Sequence, residues 1–366
     1  MTKSKALLFL IIGLVVAAPA HAQVKSTIGA IVPLSGPAAT YGQSFANVGP
    51  LAIEKLKKDG IELSIVIEDG AADVPTSIAA YNKLIRVNNV SAIVHAVSPV
   101  VLTLGPMGEK DKIVLVNAMA GAPQIANIGP YTFSTMPSYQ IEGTDAAKYA
   151  YATGAHKVFG LYQDTAAGKA AWDVFKPEFE KLGGKVVGEE GYKAGTTEYR
   201  ALLSRADSAS PDWIYLSSYA AETGRILAQA HRMDLMPKVK FLGIVGAAQE
   251  ETISIGGAGA EGFIHASWPF DPEEGSAMMK EFGTAYKAKY GTLPSVYAAT
   301  SYDSIMVLAK SIKAGAKTGP EIQEYLSKKL GEVEGVTGKW RFNEKGQVVL
   351  VTTFVQIKNG KRVVVK

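Results

Sequence analysis

The sequence predicts an α/β protein of two doubly wound, mainly parallel lobes joined by a hinge. Three observations carry that prediction. The chain has 366 residues, too many for one ordinary hydrophobic core. From Ser26 onward, short β-branched runs alternate with segments of helical period, which is the pattern of βαβ units. The alternation makes two passes, parted at 135–141 by Thr-Met-Pro-Ser-Tyr-Gln-Ile, where no strong element is written.

Taken in order, the first 22 residues stand apart. Lys3 and Lys5 precede a 13-residue apolar run at 6–18, and Ala20-His21-Ala22 supplies an A-x-A site, so 1–22 read as a cleaved secretory signal. The run is too short to span a bilayer, and no later stretch reaches 18 uninterrupted apolar residues, so the mature chain from Gln23 is expected outside the cytoplasm with no membrane insertion. The first pass places strands at 27–33, 63–68, 92–95 and 113–116, with helices at 42–58, 74–87 and 101–110 between them. In the first helix Phe45, Val48, Leu51, Ala52 and Leu56 share one face, Glu54, Lys55 and Lys58 the other, and Gly60 stops it. The second pass places strands at 157–162, 186–188, 213–216, 239–242 and 262–265, with helices at 141–151, 168–181, 198–205 and 222–233.

Ser267-Trp-Pro-Phe-Asp-Pro272 reads as a second crossing, because two prolines near a strand end favour extended backbone. Helices at 275–289, 295–314 and 320–328 follow, then a β-rich tail at 339–342 and 348–365, with the Asn343-Glu-Lys-Gly346 turn as a third crossing. Lobe one is therefore 23–138 with 268–345, and lobe two is 139–267 with 346–366. A cleft between hinged lobes is the natural place for a ligand.

Composition narrows the classes. The apolar share is 47% and the charged share 20%, as in globular proteins. The formal charge of +4 falls to +2 without the two signal lysines, which argues against nucleic acid and against a polybasic membrane anchor. There is no cysteine, so disulfides, thiolate chemistry and acylation as a lipoprotein are excluded.

The most informative junction is Ser98-Pro99, where the run 92–95 turns into a helix. A serine there can cap the helix, Pro99 fits its first position, and the remaining amides face outward as an anion site. Similar junctions recur at 34–36, 116–123, 161–168, 216–222 and 242–249, and open α/β sheets bind ligands at such strand ends. Tyr41, Tyr162, Tyr219, Trp268 and Phe270 fall at junctions or crossings, where each can line a cleft. His95 ends its strand and could face the cleft, although a packing role fits a half-buried histidine better.

Motifs of other chemistries fail. Gly257-Ala-Gly-Ala-Glu-Gly262 has dinucleotide spacing but follows a helix and opens a strand, the reverse of the fingerprint. Ser44 in Gly42-Gln-Ser-Phe-Ala46 sits inside a helix rather than on a strand-to-helix elbow, and no nucleophile–base pair can be assembled. No enzyme, cofactor or metal site is expected.

Thr27-Ile-Gly-Ala-Ile-Val-Pro-Leu-Ser-Gly-Pro-Ala-Ala-Thr-Tyr-Gly42, Tyr302-Asp303 and Trp340-Arg-Phe-Asn-Glu-Lys-Gly346 resemble the periplasmic leucine/isoleucine/valine-binding proteins, the solute receptors of ABC importers. The resemblance covers essentially the whole mature chain. It implies the type I periplasmic binding fold with three crossovers, a closing cleft, docking on an ABC permease and a monomer. By the same resemblance Ser98 holds a ligand carboxylate, Tyr41 and Tyr219 cover the ligand, and Met119, Ala120 and Gly121 belong to a second anion-contacting turn in which Ala120 offers its amide.

Three positions depart from the amino-acid binders. Gly121 stands where they carry a threonine and Val245 where they carry an acid for the α-ammonium, and Ala167 replaces a second-lobe tyrosine. A buried ammonium without such partners is strongly disfavoured. The expected guest is therefore an aromatic or similarly hydrophobic carboxylate lacking an α-amino group. Branched-chain amino-acid binding stays open should Glu222, Asp164 or Gln249 supply the acid, as does a ligand-sensing receptor domain.

Overall fold

The computed structural model describes residues 24–236 and 238–365, and the side chains of Val24, Lys25, Ala166 and Ala167 are not described. The expected signal, 1–22, lies outside the described residues. Lobe one is laid down as β1 (Val24–Val32), α1 (Ala39–Lys58), β2 (Ile61–Asp69), α2 (Val74–Arg86), β3 (Ala92–His95), α3 (Ser98–Asp111), β4 (Val114–Asn117) and β5 (Thr132–Ser134). Its sheet runs β2-β1-β3-β4-β5, all parallel. The order reverses between β1 and β3, which opens a crevice at the carboxyl ends of those strands.

The chain crosses after Ser134, where Thr135 Oγ1 donates to Thr300 O at 3.1 Å, and Ser138 caps the next helix by accepting from Gln140 N. Lobe two follows as α4 (Tyr139–Ala152), β6 (Lys157–Gln163), α5 (Ala166–Lys181), β7 (Lys185–Tyr192), α6 (Arg200–Ser208), β8 (Trp213–Ser217), α7 (Ala220–Arg232), β9 (Lys240–Gly243), α8 (Glu250–Gly256) and β10 (Ile264–Ser267). After β10 the chain returns to lobe one with α9 (Ala277–Tyr290), α10 (Val296–Lys313), α11 (Gly319–Glu324) and a small hairpin, β11 (Val333–Gly335) with β12 (Gly338–Trp340). The tail β13 (Thr353–Lys358) and β14 (Lys361–Val365) then joins the second sheet, whose order is β14-β13-β10-β9-β8-β6-β7. Its last two strands pair antiparallel on one edge, and the rest is parallel with a reversal between β6 and β8. The two switch points face the same gap.

The predicted apolar face of α1 is the buried one, and α10 is buried along most of its length behind it. Buried Asp303 fixes the β11–β12 hairpin to α10 by accepting from Val336 N at 2.9 Å and Thr337 N at 3.1 Å. The turn at 343–346 does not cross between lobes as expected. Ser134 N donates to Gly346 O and Val348 N donates to Ser134 O, each at 2.9 Å or less, so the chain is still tied to lobe one there and leaves it only before β13. Among the described residues no helix is long and apolar enough to cross a membrane.

Candidate functional site

A cavity of about 390 Å³ opens where the two switch points meet, within the size range of small-ligand sites. Lobe one contributes Tyr41 from α1, Ala71 and Ala72 after β2, Val97 and Ser98 at the start of α3, and Met119 and Ala120 after β4. Tyr297 joins them from the first turn of α10. Lobe two contributes Tyr139, Gln163, Thr165, Tyr219 and Glu222.

Ser98 is in the cavity but is not the cap expected of it. Val97 takes the cap position with φ of 71°, Ser98 is the first helical residue, and no side chain caps α3. A β-branched residue at positive φ is a strained arrangement. Its effect is to start the helix one residue early, so that the Ser98 hydroxyl is not consumed by the backbone. The first amides of the helix lack intrahelical partners, as at any helix start. Ala71 and Ala72, with φ of 48° and 56°, are strained likewise on the same wall.

The second anion-contacting turn is built differently from the expectation. Asn117 Oδ1 accepts from Met119 N at 3.2 Å and from Ala120 N at 2.7 Å, so the Ala120 amide already has a partner inside the protein. Met119 and Ala120 line the cavity, but the turn spends its amides on its own shape. Gly121 does not line it, because a Cβ there would stand 2.6 Å from the Tyr139 ring, which fills the space a threonine would reach. Val245 is fully buried behind the wall, where its N–H donates to Glu142 Oε1 at 3.0 Å.

His95 is buried away from the cavity, with neither ring nitrogen hydrogen-bonded. Alternation along β3 turns it with Ile93 toward α2 and α3, and burial pushes its pKa down to about 3, so it is a neutral packing residue. Ala167 lies in the first turn of α5, and its side chain is not described. Of the five aromatics at junctions, Tyr41 and Tyr219 line the cavity. Trp268 is buried elsewhere, Phe270 packs on Phe282, and Tyr162 lies under the Lys169 ammonium.

Tyr41 ties the lobes together. Its hydroxyl donates to Gly246 O at 3.0 Å and accepts from Ala220 N at 3.3 Å, both in lobe two. Its ring meets those of Tyr219 and Tyr297 edge-on, with centroids 5.9 and 5.1 Å away, a favoured geometry for aromatic pairs. Thr40 Oγ1 reaches Glu251 Oε2 at 3.4 Å beside it, so the lobes are closed on each other. Burial pushes the Tyr219 phenol up to about 12, and a hydrogen bond with Tyr139 opposes that shift.

The sequence reading missed Tyr139 and Tyr297. Both stand in the first helical turn behind a capping serine, Ser138 and Ser295. That serine–aromatic pairing was the available signal. Among the described lining residues Glu222 is the single ionisable carboxyl, and no Lys, Arg or His joins it. No group of three His, Cys, Asp or Glu able to hold a metal is found among the described residues.

The family model described as "Periplasmic binding protein" matches residues 25–362. The chain belongs to the periplasmic binding protein family. A leucine-, isoleucine-, valine-, threonine- and alanine-binding protein of Pseudomonas aeruginosa is 27% identical over 326 residues, covering 86% of this chain and 85% of that one. The branched-chain amino acid substrate-binding protein LivJ of Streptococcus pneumoniae, solved with isoleucine, superposes with a TM-score of 0.86 at 27% identity, over 93% of this chain and 99% of that one. A solute-binding protein of Rhodopseudomonas palustris, solved with 3,4-dihydroxybenzoic acid, shares the fold with a TM-score of 0.85 at 24% identity, over 92% and 95% of the two chains. This periplasmic binding protein is thus an ABC substrate-binding protein of the branched-chain amino acid type, a receptor rather than an enzyme.

Proposed function

We propose that the protein, exported by its signal 1–22, closes as a periplasmic monomer on a small aromatic or similarly flat carboxylate lacking an α-amino group, and presents its closed form to an ABC permease. The observation that carries this reading is the Ser98 hydroxyl, free of capping duty at the start of α3, in a cavity walled by Tyr41, Tyr139, Tyr219 and Tyr297. A guest carboxylate accepts from that hydroxyl and is favoured by the positive end of the helix. The apolar body lies against the tyrosine rings. Gly121 and Val245, the two positions where amino-acid binders pair the ammonium, are both shut off from the cavity.

Closure is a population shift: contacts from both lobes favour the closed form, which Tyr41 already bridges. A second reading, an L-amino acid, is favoured by one observation, the Glu222 carboxylate on the lobe-two wall. Calorimetry against matched panels separates the two. Tight binding of benzoate-type acids supports the first, and tight binding of leucine with indifference to aromatic acids overturns it.

A further inference from the structure

We propose that Glu222, steadied by Gln163, accepts a hydrogen bond from a donor at the far end of the guest, so that the receptor selects hydroxyl-bearing aromatic acids over bare ones. The inference rests on the reading above, in which the carboxylate end is held at Ser98. Three elements of lobe two build the acceptor. Thr165, the cap of α5, accepts from Gly168 N at 3.0 Å and donates its own hydroxyl to Gln163 Oε1 at 3.2 Å. That fixes which way the Gln163 amide faces, and its Nε2 donates to Glu222 Oε1 at 3.3 Å. Each donor in the chain Thr165, Gln163, Glu222 therefore points the same way, and the chain ends on a carboxylate.

Glu222 stands in the first turn of α7, where the positive end of the helix favours its charge. A carboxylate can accept about four hydrogen bonds. Gln163 supplies a single long one, and no ion pair to Glu222 is formed among the described residues. Two negative charges in one small cavity without a lining cation repel, which sets the guest carboxylate at the opposite, lobe-one end. What then meets Glu222 is the far edge of the guest. A bare C–H edge strips water from the carboxylate and replaces it with nothing, which is costly. A phenolic hydroxyl replaces that water with a charge-assisted hydrogen bond. A methoxy group has similar bulk but no donor.

Calorimetric titration of the full mature chain with 4-hydroxybenzoate, benzoate, 4-methoxybenzoate and leucine tests this. The wild type is expected to prefer 4-hydroxybenzoate over the other two aromatic acids by about tenfold or more, the usual size of a hydrogen bond to a charged group. Glu222→Leu should narrow the preference to about threefold or less, with its circular dichroism spectrum and melting temperature reporting an intact fold. Glu222→Gln, which keeps a neutral acceptor, should fall between. A preference that survives Glu222→Leu, or aromatic acids bound by the wild type without regard to the hydroxyl, overturns the role of Glu222 alone. Leucine bound tightly while all three aromatic acids are ignored overturns the reading of the guest itself, and this inference with it.

Discussion

The two walls of the cleft are made of different material. Lobe one presents strained backbone: Ala71, Ala72 and Val97 all hold positive φ, and the Ser98 hydroxyl beside them takes no part in capping α3. Lobe two presents side chains linked to one another, Thr165 to Gln163 to Glu222. Among the described residues other than glycine, positive φ in lobe two occurs away from the cavity, as at Ser210 and Asp234. Strain of about 1–3 kcal/mol per residue persists only where the surroundings enforce it, and it fixes geometry that side-chain rotamers would leave loose. Lobe one is thus suited to hold the feature shared by all guests, and lobe two to tell them apart.

The largest effect that sharpens this contrast is on stability. Behind the lobe-two wall, burial pushes the Glu142 carboxyl up to about 8 from its usual 4.5, and one of its oxygens has no partner. Between those values the unfolded chain releases the proton while the folded chain keeps it. The contribution of Glu142 is therefore complete below the lower value and is lost as pH rises through the upper one, by about 1.4 kcal/mol per pH unit at most. Glu142→Gln should flatten the fall of the melting temperature between pH 5 and 8, and an unchanged slope would contradict the assignment. His95 in lobe one has the opposite sign: its pKa is depressed to about 3, so its contribution is lost as pH falls below 6.5.

Next in size, Ser98→Ala should weaken every acid by about 2 kcal/mol, the scale of a hydrogen bond to a charged group, and by the same factor for each. A change in the ranking of acids would break the division of labour between the walls. Tyr41→Phe removes the interlobe bridge and should cost about 1 kcal/mol of affinity, with a larger radius of gyration for the ligand-free chain in small-angle scattering. Smallest is Glu273→Ala. That residue makes an exposed pair with Lys287 at 3.7 Å, so its loss should move neither affinity nor stability by more than about 0.5 kcal/mol.

The lobes were legible because parallel strands buried on both faces write long apolar runs, and the face of α1 follows from Phe45 to Leu56. The junction at Ser98 was legible for the same reason, since a strand, a turn and a helix meet there. What sequence could not carry was the fate of individual backbone groups. The amide of Ala120 looked available until Asn117, three residues earlier, folded back and claimed it. Gly121 was expected in the ligand-contacting turn, yet Tyr139 shuts it off from the far side of a crossing. Tyr297 reaches the cavity from a helix written long after the junctions that define it. The turn at 343–346 has the composition of a crossing, but its pairing with Ser134 is a contact between distant segments.

The most direct measurement is a crystal structure of the full mature chain with 4-hydroxybenzoate bound. The expected result is a carboxylate oxygen within about 3 Å of Ser98 Oγ, with the ring between Tyr41 and Tyr219. A guest that turns its carboxylate away from the start of α3, or one seated outside the interlobe gap, would contradict the claim that Ser98 holds the acid end.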